Sequence, residues 1–325
     1  MHIRPFTDGD DLRLNDVFHD AANPAEHAAR NLFRADSESP LSRCVVASLE
    51  DEGPGAEVLI GAAVIAASPA HPRRAWAHVE VAEPERRRGV GAALLQAARE
   101  AVAGTDLIDL PLRGRVAAGS VGAAAAASQG ADLLFTTRVI TVKPSALGGL
   151  GADRLEDFEV TATGSVALTR AFAAWYAGVN AADPAAEMAI GEVNRRFLSE
   201  PTGAHGAALM RRDGEVSAFA VSYPHEDGAT ELTLAAAYDG KIGLANRGEN
   251  AAEFTVDRND PGFQAGLEDT GALLARLSTD TEVVVEVTDE MPVVSELMDG
   301  LISAGVAEVL YTYETIALAG ASTAK

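Results

Sequence analysis

Cysteine and positive charge are what this chain has least of. A single cysteine, Cys44, excludes an internal disulfide. It sits in the apolar run Cys44-Val45-Val46-Ala47, which reads as a strand, so a small buried hydrophobe is expected there rather than a nucleophile. Lysine and arginine number 26 against 48 acidic residues, a net charge of -22. That excess makes nucleic acid and anionic membrane surfaces poor partners. No apolar run approaches the roughly 18 residues of a membrane-spanning helix. The opening Met1-His2-Ile3-Arg4-Pro5-Phe6 lacks the apolar stretch of a signal peptide, and a cytoplasmic location is the expectation. The seven histidines are scattered without metal-ligand spacing, so no metal is expected.

What is present is ample for a folded core. Hydrophobic residues make up 47% and charged residues 23%, ordinary for globular chains. A length of 325 residues points to two domains. The charge is uneven: residues 1–150 hold 19 acids and 15 bases, whereas residues 151–325 hold 29 acids and 11 bases.

The first half alternates strand and helix signals. Ile3 to Phe6 reads as a strand, and Asp8 is expected to cap a helix through Leu12, Leu14 and Val17. Cys44–Leu49 and Val58–Ala67 read as strands around the turn signal Glu50-Asp51-Glu52-Gly53-Pro54-Gly55. Trp76–Val81 is another strand, Ala92–Glu100 a helix and Leu107–Leu112 a buried strand. An alanine-rich helix around Ala123–Ala127 ends at Gly130, and Leu133–Val142 is a long strand. Lys143 to Ala152, rich in glycine with Pro144, reads as a linker. Beyond it the order recurs. Phe158–Val160 is a strand, Leu168–Val179 a helix, and Ala207–Met210 with Val216–Ser222 a hairpin. Strands are read at Glu253–Val256, Glu282–Val287 and Val309–Leu318, and helices at Thr270–Leu277 and Val293–Ser303. Ala131-Asp132-Leu133-Leu134-Phe135-Thr136 lies over Ala307-Glu308-Val309-Leu310-Tyr311-Thr312 at a constant offset of 176. Duplication of one α/β unit explains the match.

The informative segment runs from His78 to Leu95. It joins a strand, the basic loop Arg86-Arg87-Arg88-Gly89-Val90-Gly91, and a helix start. A helix N-terminus offers unsatisfied amides and a partial positive charge, a ready anion site. Glycines at 89 and 91 let the backbone approach a phosphate, and arginines add charge. A P-loop would need Gly-Lys-Ser/Thr, which is absent. A Rossmann fingerprint would need a third glycine where Leu94 stands.

Arg86-x-x-Gly89-x-Gly91 resembles the Q/R-x-x-G-x-G/A signature of the GNAT superfamily of N-acetyltransferases. The strand ending at Val81, the pair Leu94-Leu95, and the opening Ile3-Arg4 strand with Asp8 fit the same family over residues 1–143. The resemblance implies an α/β (α+β) mixed sheet, splayed in the middle with helices on both faces. It divides the chain into a GNAT domain at 1–145, a linker at 146–157, and a degenerate GNAT-like domain at 158–325. It implies acetyl-CoA as co-substrate, with Arg86, Arg87, Arg88, Gly89, Val90, Gly91 and Ala92 around its diphosphate. Val79 and Val81 would pair their backbone with the pantetheine arm. The reaction would carry acetyl to a primary amine of a small molecule, with a base removing the ammonium proton and an acid protonating the thiolate.

The pattern is also broken. Many members carry a tyrosine acid four residues before the glycine that ends the last helix; here Ala126 stands there. Glu80 and His78 are the candidate bases, two apart and so on one face of their strand. Their alternative is the polar side of a half-exposed strand. In the second half, Gly266-Leu267-Glu268-Asp269 replaces the basic loop with acids, so loss of the cofactor site is expected. Dimer contacts, a wall of the substrate cleft, or attraction of a cationic amine are the roles open to that half. The tandem arrangement resembles that of the mycothiol synthases, which acetylate a cysteinyl amino-sugar. A CoA-binding sensor or structural protein without efficient turnover is the alternative from another class.

Overall fold

In a computed structural model, residues 1–50, 57–225, 228–245 and 256–320 are described. The chain divides into two compact units: residues 1–134 with 314–325, and residues 135–313.

The first unit holds β1 (His2–Pro5), α1 (Asp10–Asn15), α2 (Pro24–Arg30), β2 (Ser37–Glu38), β3 (Leu41–Glu50), β4 (Glu57–Ala66), β5 (Ala75–Val81), α3 (Val90–Ala101), β6 (Leu112–Ala117) and α4 (Val121–Ser128). Strands β1, β3, β4 and β5 are antiparallel neighbours in that order. Their two faces carry separate cores. Val45, Ala47, Ile60, Ala63 and Ile65 pack under α3 with Val90, Leu94 and Ala98. Cys44, Val46, Ala62 and Val64 pack on the other face with Phe6, Leu14, Phe18 and Phe33. This alternation is what a sheet covered on both sides requires.

Several sequence expectations shift here. Helix α1 is preceded by Gly9, not capped by Asp8. Asp10 does the anchoring instead: buried, it accepts from the Arg4 guanidinium and the Thr7 amide. Residues 107–110 form turns rather than a strand; Leu107 fills the core there, and β6 begins only at Leu112. The expected turn at Glu50–Gly55 lies outside the described residues after Glu50.

Strand β7 (Asp132–Val142) begins in the first unit and continues in the second. The second unit also holds β8 (Phe158–Thr161), α5 (Val166–Val179), α6 (Ile190–Val193), β9 (Gly206–Arg212), β10 (Glu215–Pro224), β11 (Thr230–Ala236), α7 (Ala237–Ala245), α8 (Pro261–Leu277), β12 (Val283–Thr288), α9 (Pro292–Ser303) and the first part of β13 (Ala307–Leu318). Antiparallel strands β8 to β11 are followed by β12, parallel to β11, and then β7, antiparallel to β12. Strand β11 and α7 were not legible in the sequence. Helix α8 starts nine residues before the expected Thr270, because Asp260-Pro261 supplies a cap and a first-turn proline. The strand expected at Glu253–Val256 lies, up to residue 255, outside the described residues. The stretch 146–157, expected as a linker, belongs to the second unit and closes in a 3₁₀ helix at Ala152–Asp157. The division between units falls in β7 and β13, after Leu134 and before Glu314, because each strand lends its end to a different unit.

Helices α5 and α7 cross at glycine. A Cβ on Gly178 would run into the Gly240 carbonyl, and one on Gly240 would stand 2.5 Å from the Trp175 Cα. Such backbone contact leaves no room to relax. Gly178→Ala is therefore expected to destabilise the second unit by about 1–3 kcal/mol through overpacking. Gly300→Ala in α9, where nothing lies within 4 Å of the added Cβ, is expected to be neutral or to stabilise through helix propensity. Urea unfolding of the two variants checks the pair, and equal effects would show that the crossing is not tight.

Candidate active site

Strand β5 is the axis of the site. It pairs with β4 along its length, from Trp76↔Ala66 to Val81↔Gly61. With β6 it pairs in parallel at only two positions, Ala75↔Leu112 and Trp76↔Arg113. From Ala77 onward that edge of β5 has no strand partner among the described residues. Along it the Val81 carbonyl accepts from Arg86, and the remaining backbone groups have no strand to pair with among those residues. A β-bulge in β4, where the register skips Ile60, falls opposite the end of β5.

Alternation sorts the side chains of β5 to two faces. Val79 and Val81 lie on the α3 face. A Cβ at Gly91 would stand 3.6 Å from Val81 and 3.8 Å from Val79, so the first turn of α3 rests on this pair. At Gly61 a Cβ would come within 2.7 Å of the Glu80 carbonyl and 3.0 Å of Leu94, so glycine is what admits α3 to the sheet. The loop into α3 carries two left-handed residues, Arg87 at φ 64° and Gly89 at φ 82°. Arg86 reaches back through Nε to the Val81 carbonyl at 2.9 Å, and Arg88 pairs with Glu85 at 2.9 Å. Gly89 is the N-cap, no side chain caps the helix, and no acid occupies its first turn. The amides of Gly89, Val90, Gly91 and Ala92 are those that a helix leaves without an internal acceptor. They are uncapped by any side chain and flanked by exposed arginines, an arrangement whose charge favours an anion.

His78 and Glu80 lie on the opposite face. Glu80 is held by the Arg30 guanidinium in a two-point pair, 2.8 Å from Nε and 2.6 Å from Nη2. Burial pushes the Glu80 carboxyl up, but Arg30, together with the nearby His78 ring, outweighs it and holds the carboxyl down at about 2. The His78 Nε2 lies 3.6 Å from Glu80, beyond hydrogen-bond reach, and is buried without a hydrogen-bond partner among the described residues. Its ring packs 5.0 Å from Phe33. Arg30 was missed in the sequence because α2 was. Its start signal is present in Asn23-Pro24-Ala25-Glu26: the Asn23 side chain accepts from the Glu26 amide at 2.9 Å, while the Glu26 carboxylate accepts from the Ala22 amide at 2.6 Å.

The acetyltransferase (GNAT) family model matches residues 12–111, the stretch that contains β5, the arginine loop and α3. That match covers under a third of the chain. Across its length the chain is similar in fold to a GCN5-related N-acetyltransferase from Sphaerobacter thermophilus. The TM-score is 0.55 at 14% identity, over 98% of this chain and 95% of that one. It is likewise similar to a tandem GNAT protein from the clavulanic acid biosynthesis pathway, solved without acetyl-CoA. There the TM-score is 0.53 at 15% identity, over 100% of this chain and 99% of that one. Among curated proteins none matches.

The second GNAT-like unit keeps the framework and loses the cradle. Strand β11 parts from β12 after three pairs, Thr230↔Val283 to Leu232↔Val285, just as β5 parts from β6. Residues Gly266 to Asp269 are not a loop, however; they lie inside α8. The start of α8 is closed by the Asp260 carboxylate, which accepts from the Gly262 amide at 2.6 Å. Behind it Phe263, Ala236 and Val293 form a buried cluster with Tyr238 and Leu267. Val293 of α9 stands 3.5 Å from a Cβ placed on Gly266 of α8. The acids expected to line an acidic loop are spent internally. Asp269 accepts from Arg154 and Arg212, and Glu268 pairs with Arg212.

Removing Arg30 leaves burial opposed only by the nearby His78 ring at Glu80. In Arg30→Met the Glu80 carboxyl is expected to titrate higher than it does beside Arg30. Carbon-13 NMR titration of the side chain measures this, and a value still near 2 would show that Arg30 does not hold the charge.

Proposed function

We propose that the first unit transfers acetyl from acetyl-CoA to a primary amine of a small molecule. The observation that carries the reading is the uncapped start of α3 set beside the unpaired edge of β5. Amides of Gly89 to Ala92 bind the diphosphate, helped by Arg86, Arg87 and Arg88, and the backbone of Val79 and Val81 holds the pantetheine arm. The chemistry of the donors fits a phosphate-bearing group: a basic loop, free amides and no competing carboxylate cap. Bound acetyl-CoA supplies the acetyl group as a thioester.

The acceptor amine approaches from the face of His78 and Glu80. Of the two, His78 is the better base. A carboxylate held down at about 2 by the His78 ring and Arg30 takes a proton from an ammonium weakly, whereas the His78 Nε2 has no hydrogen-bond partner among the described residues. Glu80 then orients and balances the imidazolium that forms.

A second reading, CoA binding without efficient turnover, is favoured by α4. Ala126 takes the place of the usual tyrosine acid, and both hydroxyls near it are engaged. Ser120 accepts from the Ala123 amide at 3.1 Å, and Ser128 donates to the Ala125 carbonyl at 2.7 Å.

Titration calorimetry with acetyl-CoA is expected to give one site per chain, because the second unit has a capped helix and a filled groove. Gly89→Glu is expected to abolish that binding by setting a carboxylate against the diphosphate. Binding that survives intact would remove the site assignment. Thiol release over a panel of amines separates the two readings, since tight binding with no release for any amine supports the second. Under turnover, His78→Asn is expected to lower kcat by about 10² or more with acetyl-CoA affinity retained. An unchanged kcat would remove His78 from the proton path.

A further inference from the structure

The fork between β5 and β6 is built partly by the far end of the chain. Residues 314–320, which are the end of β13 and the short segment after it, belong to the first unit, and β13 is the neighbour of β6. Thr315 and Ile316 are buried, and Leu318 packs in the core shared by Val79, Val81, Val90 and Leu94. Past the strand, the Ala319 carbonyl accepts from Arg99 of α3 at 3.0 Å, across 220 residues of sequence. Gly320 sits so close to the turn before β6 that a Cβ there would stand 2.7 Å from the Asp109 carbonyl. The segment is therefore fastened to α3 and to the approach to β6.

One contact lies at the apex. The register of β5 with β6 ends at Trp76↔Arg113. The next residue of β6 is Gly114. A Cβ there would stand 3.0 Å from the Ala77 carbonyl, the first residue of β5 past the pairing, and 3.9 Å from Ile316. With only two pairs on its β5 side, β6 takes its lateral position from its other flank, and that flank is β13. We infer that Ile316 is a positioning residue for the cofactor cleft: packed on Gly114, it sets how far β6 swings away from β5. The inference rests on the acetyl-CoA reading above. The strand end that sets this width comes late in the sequence but belongs to the first unit. Its counterpart by the 176-residue offset, Arg138 onward in β7, lies in the second unit.

Full-length Ile316→Ala, Ile316→Val, Gly114→Ala and the double variant Gly114→Ala/Ile316→Ala are titrated with acetyl-CoA, at a temperature where thermal unfolding shows each to be folded. Ile316→Ala is expected to weaken binding about tenfold, a change of 1.4 kcal/mol in binding free energy. Ile316→Val, which keeps most of the contact, should stay within about threefold of wild type. Gly114→Ala pushes the strands apart from the other side and should weaken binding as well. The double variant should lose less than the product of the two single losses, because both act on one contact. A general loss of stability would not give that coupling or the rescue by valine. Wild-type affinity in Ile316→Ala overturns the inference and leaves the acetyl-CoA reading standing. If Ile316→Ala does not fold, Ile316→Val and Gly114→Ala decide, and the inference fails if Gly114→Ala binds as wild type does. Absence of binding in the wild-type chain overturns the acetyl-CoA reading, and this inference with it.

Discussion

The parting of β5 from β6 after two paired residues is the constraint on which the first unit's site depends. A parallel pair that continued would satisfy the backbone of β5 on both edges and leave nothing for a ligand. By stopping at Trp76 the sheet keeps a row of main-chain donors and acceptors open beside the start of α3. Two further features serve that opening. Glycine at 61 lets α3 lie close on the sheet, and a bulge in β4 falls where β5 ends. The uncapped amides of α3 and the open strand edge thus form one continuous polar surface made of backbone.

Comparison of the two units isolates what that surface needs. Both contain a strand that leaves its parallel neighbour early, a helix directed at the gap, and a last helix ended by a left-handed glycine, Gly130 in one and Gly305 in the other. The difference is local. Gly89 leaves the helix mouth open, whereas Asp260 closes the other with its own carboxylate. Next to Asp260, Phe263 and Val293 fill the space with apolar side chains. A cap and a plug are each favourable in isolation, since they satisfy amides and bury hydrophobic surface. The open mouth of the first unit gives up that stabilisation.

The electrostatics of β5 divide its two faces. On the α3 face the positive ends of amides and the arginine loop favour negative charge. On the other face the only carboxylate of the strand, Glu80, is neutralised by a half-buried two-point pair with Arg30. That pair also ties α2 to β5, so the helix that covers this face and the charge state beneath it are set by one interaction. A carboxylate so held contributes geometry more than basicity.

Much of this was legible in the chain itself. The arginine and glycine loop, the strand before it and the helix after it can be read from spacing within a dozen residues, because helix starts and tight turns are local physics. The duplicated order of elements and the loss of the basic loop in the second half were legible for the same reason. Features that depended on distant residues were not. Arg30 meets Glu80 across 50 positions. The extension of α8 over Gly266 to Asp269 turned an expected acidic loop into helix, because buried Asp269 finds Arg154 and Arg212 from other elements. The exchange of strand ends between β7 and β13 has no sequence signature at all. Either strand pairs by the same backbone bonds with whichever neighbour it meets, so periodicity names the strand while only the packed structure names its partner.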